Sequence, residues 1–159
     1  MSVKPTLKFW HDPWHFIAFG HGLGGSPIAP GTFGSITGLA YYWLLVDFGW
    51  PIYLTFVLFG LFFGIWLCDK VSKDLGVHDH GGIVWDEIIG ILITFAFVTP
   101  TCGRVTIAFL AFRLFDIWKP WPISVIDRSV KGGFGIMLDD VIAAIPAWGA
   151  LQLYILCGG

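Results

Sequence analysis

An all-α, membrane-embedded helical bundle is the fold class this sequence predicts, and three observations predict it. Of 159 residues, 56% are hydrophobic and only 13% are charged, where a water-soluble domain carries about a quarter. The mean hydropathy is +0.77. The 9 basic and 11 acidic residues leave long uncharged stretches at 13–46, 48–68, 88–103 and 141–159. There is too little polar surface to cover a soluble body of this size, which excludes a disordered chain and an ordinary soluble enzyme. A net charge of −2 gives no electrostatic basis for a nucleic-acid partner. The length suits a single domain over residues 1–159.

The elements follow in chain order. Residues 1–13 carry Lys4, Lys8, His11 and Asp12 and hold no apolar run before Pro13, so no signal peptide is expected. Residues 20–35 contain six glycines and two prolines, a composition that predicts a structured loop rather than a helix interior. The loop satisfies a GxGxxG pattern, but no βαβ unit surrounds it, and the lysine of a P-loop is missing. What remains is a glycine-rich run entering a first helix at 33–46. Its free backbone N–H groups suit an anion, with Ser26, Gly31, Thr32 and Ser35 as the candidate substrate-binding residues; a turn that merely packs fits equally.

Four more helical segments follow at 48–68, 88–98, 103–118 and 141–159, giving about five. A full span needs about 20 apolar residues, which the second and fifth segments reach. The others are short and expected to be partly re-entrant. Alternating the five across a bilayer puts eight of the nine basic residues (Lys4, Lys8, Lys70, Lys73, Arg113, Lys119, Arg128, Lys131) on one side. By the positive-inside rule that side is cytoplasmic. Ten of the eleven acids, all but Asp47, and all five histidines fall there too. Short opposite loops account for part of this; a polar site assembled at the membrane edge accounts for the rest. Cys68, Cys102 and Cys157 form no metal or redox spacing and are expected to be small buried hydrophobes. Trp10, Trp14, Trp50, Trp85, Trp118 and Trp121 suit an interfacial belt.

The chemistry-bearing motifs lie on the charged side. In residues 77–90, Asp79 stands between His78 and His80, a double glycine follows, and Asp86-Glu87 open the third helix. In residues 132–144 a second double glycine precedes Asp139-Asp140, which are expected to open the fifth helix. Helix N-termini favour acids anyway, which explains one acid better than a pair. Four carboxylates without a thiolate suit a hard cation such as Mg²⁺, so Asp86, Glu87, Asp139 and Asp140 are the metal candidates. Between the pairs, Arg113 and Asp116 share a helix face, and Lys119 ends that helix before Pro120. Arg113 and Asp116 form a self-neutralising pair, or Arg113 and Lys119 hold a phosphate. A cation site, basic groups and a bilayer surface point together to a phosphorylated lipid. Neither a C-x5-R, a DxD nor an SGH with a downstream SR-x5-H is present, which removes three familiar phosphatase mechanisms.

These motifs, GLGGSPIAPGTFGS, GVHDHGGIVWDEIIG, FRLFDIWKPWPI and GGFGIMLDDVIA, closely resemble those of the phosphatidylglycerophosphatase A family, in order, from about Trp10 to Ala144. The resemblance implies a multihelical, Mg²⁺-dependent enzyme of the bacterial inner membrane. It would be multi-pass, with its active site facing the cytoplasm, hydrolysing phosphatidylglycerophosphate to phosphatidylglycerol and inorganic phosphate. It carries over Asp79, Asp86, Glu87, Arg113, Asp116, Lys119, Asp127, Asp139 and Asp140 as motif positions. Asp79 or His80 is then the expected general acid or base, with Arg113, Asp116, Lys119 and Asp127 in the catalytic set. A small proton-coupled transporter or channel is the alternative, and a non-catalytic scaffold a third. The transporter predicts charges near several helix midpoints rather than at one end.

Overall fold

The computed structural model describes residues 12–159, which form seven α-helices and no strand. Helix α1 is Pro13–Ala18, and a 3₁₀ turn at Leu23–Gly25 leads to α2, Pro30–Leu45. A second 3₁₀ turn, Val46–Phe48, leads to α3, Trp50–Leu75. Then come α4, Trp85–Thr94; α5, Cys102–Trp118; α6, Ile123–Ser129; and α7, Gly132–Leu156. The all-α expectation holds, whereas the count is seven rather than about five because α1 and α6, of 6 and 7 residues, carry too few apolar positions to read as separate segments. Lys4, Lys8, His11 and Trp10 lie outside the described residues.

Helix α4 is the centre of the bundle, packing against α2, α3, α5 and α7. Trp85, Asp86, Ile88–Leu92 and Thr94 are all buried. Glycines let its neighbours come close. A Cβ on Gly38 of α2 would stand 2.0 Å from Ile91, and one on Gly60 of α3 would stand 2.6 Å from Ile89. Small residues at helix contacts are how apolar bundles gain packing where no water is left to expel.

Ten residues rise about 15 Å, half the thickness of a bilayer's hydrocarbon core, so α4 ends inside the bundle. Its last turn closes on the backbone N–H groups of Phe95 and Ala96, and side chains from three other helices donate to one carbonyl of α4 and to two in the turn that follows it. Tyr53 Oη donates to Leu92 O at 2.6 Å and Tyr42 Oη to Val98 O at 2.6 Å. Trp148 Nε1 donates to Ala96 O at 3.1 Å. Both tyrosines are fully buried, and Tyr42 stacks on Phe95 at 4.5 Å.

By length and composition, two helices could cross a membrane: α3 with 26 residues and α7 with 25. Helices α2 and α5, with 16 and 17 residues, fall short of the roughly 20 needed. Leu58, Phe59, Phe62 and Trp66 are exposed on α3 at the spacing of a single helix face.

Three sequence expectations change. Helix α3 runs on past Cys68, because Lys70–Asp74 at 2.7 Å and Lys73–Asp69 at 2.6 Å neutralise each other at i,i+4. Helix α7 begins at Gly132, so Asp139 and Asp140 sit two turns inside it rather than at its mouth. Its glycines are helical because they are contact points: a Cβ on Gly133 would stand 1.9 Å from Ile65 O and 2.5 Å from Asp69 N. Cys68 is buried as expected, but Cys102 and Cys157 are exposed, since they lie at the ends of α5 and α7.

Gly133→Ala must push α7 away from the rigid backbone of α3, and overpacking of this kind costs about 1–3 kcal/mol. Gly149, also in α7, has nothing within 4 Å of a new Cβ. Thermal unfolding in detergent is therefore expected to fall clearly for Gly133→Ala and to hold or rise for Gly149→Ala.

Candidate active site

Five elements converge at one end of the bundle: the starts of α2 and α4, the end of α5, helix α6, and the first third of α7. Asp86 and Glu87, in the first turn of α4, meet Asp140 of α7, with one carboxylate oxygen from each lying within 4.8 Å of the others. Asp86 and Asp140 are 8% and 3% exposed. Two like charges at this separation repel by about 3 kcal/mol at an effective dielectric of about 20. Asp86 Oδ1, Glu87 Oε2 and Asp140 Oδ2 are buried without a hydrogen-bond partner among the described residues. Buried acceptors are almost always paired, so these three residues are the ones here that could hold a hard cation.

Arg113 supplies the opposite charge. Its Nη1 donates to Asp116 and lies 3.9 Å from Glu87 Oε1. Its Nε is buried and has no partner among the described residues. The glycine at position 31 makes this closeness possible, since a Cβ there would stand 2.3 Å from Glu87 Oε1 and 3.0 Å from Arg113 Nη1.

Lys119 ties the remaining acids together. It ends α5 in the left-handed region, at φ 44°, a conformation that costs a non-glycine residue energy and concentrates at functional sites. The turn sends its ammonium to Asp127 Oδ1 at 2.6 Å and Asp139 Oδ2 at 2.5 Å. Burial works against the charge on Lys119, but the hydrogen bonds it donates to Asp127 and Asp139 outweigh it and raise its pKa. The Lys119 hydrogen bond holds Asp127 below the usual carboxylate range. The stabilisation from that depressed carboxyl is present above the ordinary value of about 3.9 and lost as pH falls through the folded value.

The four metal candidates thus divide. Asp86, Glu87 and Asp140 form the cluster, while Asp139 turns one oxygen to Lys119 and leaves Oδ1 buried without a hydrogen-bond partner among the described residues. Arg113, Asp116, Lys119 and Asp127 all reach the same end. Asp79 lies exposed in the loop after α3 at φ 49°, close enough to Lys119 and Asp127 to interact with their charges. His80 is half-buried, and its Nδ1 accepts from Gly82 N at 3.0 Å, so a neutral ring carries its proton on Nε2.

The anion-cradle residues are placed differently from the expectation. Gly31, Thr32 and Ser35 belong to α2, which starts at Pro30. The Ser35 hydroxyl donates to Gly31 O at 3.1 Å rather than standing open. Ser26 Oγ donates to Ile28 O at 2.9 Å and lines a cavity of about 280 Å³ with His80, Gly24, Gly25 and Pro30.

Sequence reasoning missed two ties that hold the end together. His78 Nε2 accepts from Gly132 N at 2.9 Å, pinning the start of α7. Buried His15 faces Asp74 at 3.4 Å, where Lys70 already neutralises that carboxylate. Nothing in residue spacing marks partners 54 or 59 positions apart.

The fold and site define an apolar helical bundle with two buried carboxylates, a part-buried third and a guanidinium gathered at one end. Comparison with known proteins narrows the class. The family model for phosphatidylglycerophosphatase A matches residues 16–155. A phosphatidylglycerophosphatase A of Escherichia coli (strain K12) is 47% identical over 94% of this chain and 87% of its own length. The Haemophilus influenzae protein of the same name is 44% identical over 86% and 85%. A Bacteroides thetaiotaomicron protein provisionally named phosphatidylinositol-3-phosphatase is 40% identical over 81% and 85%. No solved structure matches. The chain belongs to the phosphatidylglycerophosphatase A family, a family of phosphoric monoester hydrolases.

Removing one charge from the cluster relieves repulsion. Asp140→Asn is therefore expected to raise the unfolding temperature in metal-free detergent solution, and to lack any further rise on adding Mg²⁺, which is expected of the wild type alone.

Proposed function

We propose that this chain hydrolyses the phosphomonoester of phosphatidylglycerophosphate, releasing phosphatidylglycerol and inorganic phosphate, with Mg²⁺ held by Asp86, Glu87 and Asp140. One observation carries the reading: orphaned acceptors on Asp86, Glu87 and Asp140 and an orphaned donor on Arg113 Nε share one buried place. A divalent cation answers the first set and a phosphate oxygen the second. The oxygen-only donor set fits Mg²⁺. Bound there, the ion would polarise the phosphoryl group and favour an attacking water.

The chain's own residues have separable parts. Arg113 binds phosphoryl oxygens through its free Nε while Asp116 fixes the guanidinium plane. Lys119, held charged by Asp127 and Asp139, adds positive charge where the transferring group becomes more negative. His80 is set as an Nε2–H donor to a phosphate oxygen, since its Nδ1 is taken by Gly82. That leaves Asp79 as the group that accepts the proton of the attacking water. Ser26 lies in the cavity beside His80, placed to contact the headgroup, while Gly31, Thr32 and Ser35 shape the α2 start around Glu87.

We place α3 and α7 across the bacterial inner membrane with the charged end in the cytoplasm, on the strength of the basic-residue bias and the apolar outer faces. The transporter alternative fares poorly because the acids and bases gather at one end, with Asp47 and Arg104 apart from them.

Glu87→Gln and Arg113→Gln are each expected to lower kcat at least about 100-fold for phosphate release from detergent-dispersed phosphatidylglycerophosphate, at unchanged helical content. A folded Glu87→Gln variant with wild-type turnover would overturn the cation assignment.

A further inference from the structure

The corner between α5 and α6 is built as an amphiphile. Going along the chain, Ile117 and Trp118 are 71% and 69% exposed, Lys119 turns inward to Asp127 and Asp139, and Trp121 is 81% exposed. Val125 of α6 is exposed while Ile123 of the same helix is buried, so α6 seats one face on α7 and turns another outward. Neither Trp118 nor Trp121 packs against another ring among the described residues, whereas Trp14, Trp50 and Trp85 each make an edge-on ring contact. Beside this apolar surface stand Arg128 and Lys131, both exposed and neither in an ion pair with a described residue.

Exposed aromatic side chains bordered by unpaired cations match the boundary between acyl chains and anionic headgroups. We propose that this corner docks on an anionic lipid leaflet and admits the lipid substrate, delivering its phosphate past Trp118 and Trp121 to Lys119. The proposal rests on the lipid-phosphatase reading. The reversal of direction at Lys119 supports it: the left-handed turn that sends the ammonium into the site leaves its aromatic neighbours facing outward. Lipid phosphate and Lys119 would therefore meet at the same depth. Arg128 and Lys131 select the surface charge, and the two tryptophans hold the corner at the level where the phosphate lies.

The test compares the full chain with Trp118→Ala/Trp121→Ala and with Arg128→Gln/Lys131→Gln. Substrates are dioleoyl phosphatidylglycerophosphate in mixed micelles and the dihexanoyl compound below its critical micelle concentration. The tryptophan pair is expected to raise the surface KM for the long-chain lipid about tenfold, leaving short-chain turnover within twofold. The cation pair is expected to raise it only in micelles containing phosphatidylglycerol. Equal losses on both substrates, or none, would overturn the proposal.

A second readout is independent of catalysis. In vesicles of dibrominated phosphatidylcholine and phosphatidylglycerol, the fluorescence removed by Trp118→Ala/Trp121→Ala should be the strongly quenched part, and an unquenched difference would overturn docking. Quenching without phosphate release from either substrate by the wild type would instead overturn the lipid-phosphatase reading and, with it, substrate admission.

Discussion

Helix α4 is ten residues long and buried on nearly every face, so both of its ends must be satisfied by protein groups, and the rest of the bundle is arranged to do this. At its C-terminal end, Tyr53 reaches in from α3 to Leu92 O, and Tyr42 of α2 and Trp148 of α7 donate to Val98 O and Ala96 O in the turn that follows. An unpaired buried carbonyl costs about 1–3 kcal/mol, so these side chains are what allow a helix to stop in an apolar interior. Glycines on α2 and α3 then let α4 be gripped from both sides.

At the other end the same constraint produces chemistry. The first turn of α4 has N–H groups without intrahelical partners and a positive dipole end, and it carries Asp86 and Glu87. Their meeting with Asp140 overcompensates: three acids gather where the helix end could balance only part of that charge. The surplus is unstable alone and defines what must be added. Arg113, held by Asp116 and brought close by the absence of a side chain at Gly31, faces the cluster with a free donor. In the function proposed above, a divalent cation and a phosphate would together relieve the repulsion that folding stores here.

Much of this was legible in the sequence, and the parts that were not share a cause. Charge scarcity gave the helical class, and the two acid pairs after double glycines marked the site because paired acids exceed what a helix N-terminus needs. The positions of α3 and α7 as long apolar helices followed from residue count. What failed was the treatment of glycine and charge as local punctuation. Gly132 and Gly133 were expected to precede a helix, yet they form its first turn: Gly132 takes a positive φ of 76°, and backbone of α3 passes too close to Gly133 for any Cβ. Lys70 to Asp74 were expected to lie beyond a helix, yet they extend it. The division of the four metal candidates was equally out of reach: Asp139 and Asp140 are adjacent in sequence and about 100° apart around a helix, and only the position of Lys119 decides which of them turns away.

The cation cluster is the claim on which the mechanism rests, and Mn²⁺ titration followed by electron paramagnetic resonance tests it most directly. The purified chain in detergent is expected to bind Mn²⁺ in a form that added Mg²⁺ displaces. Binding should weaken at least tenfold in Asp86→Asn, Glu87→Gln and Asp140→Asn and stay near wild type in Asp74→Asn. Equal affinity in the wild type and all three cluster variants would contradict the account.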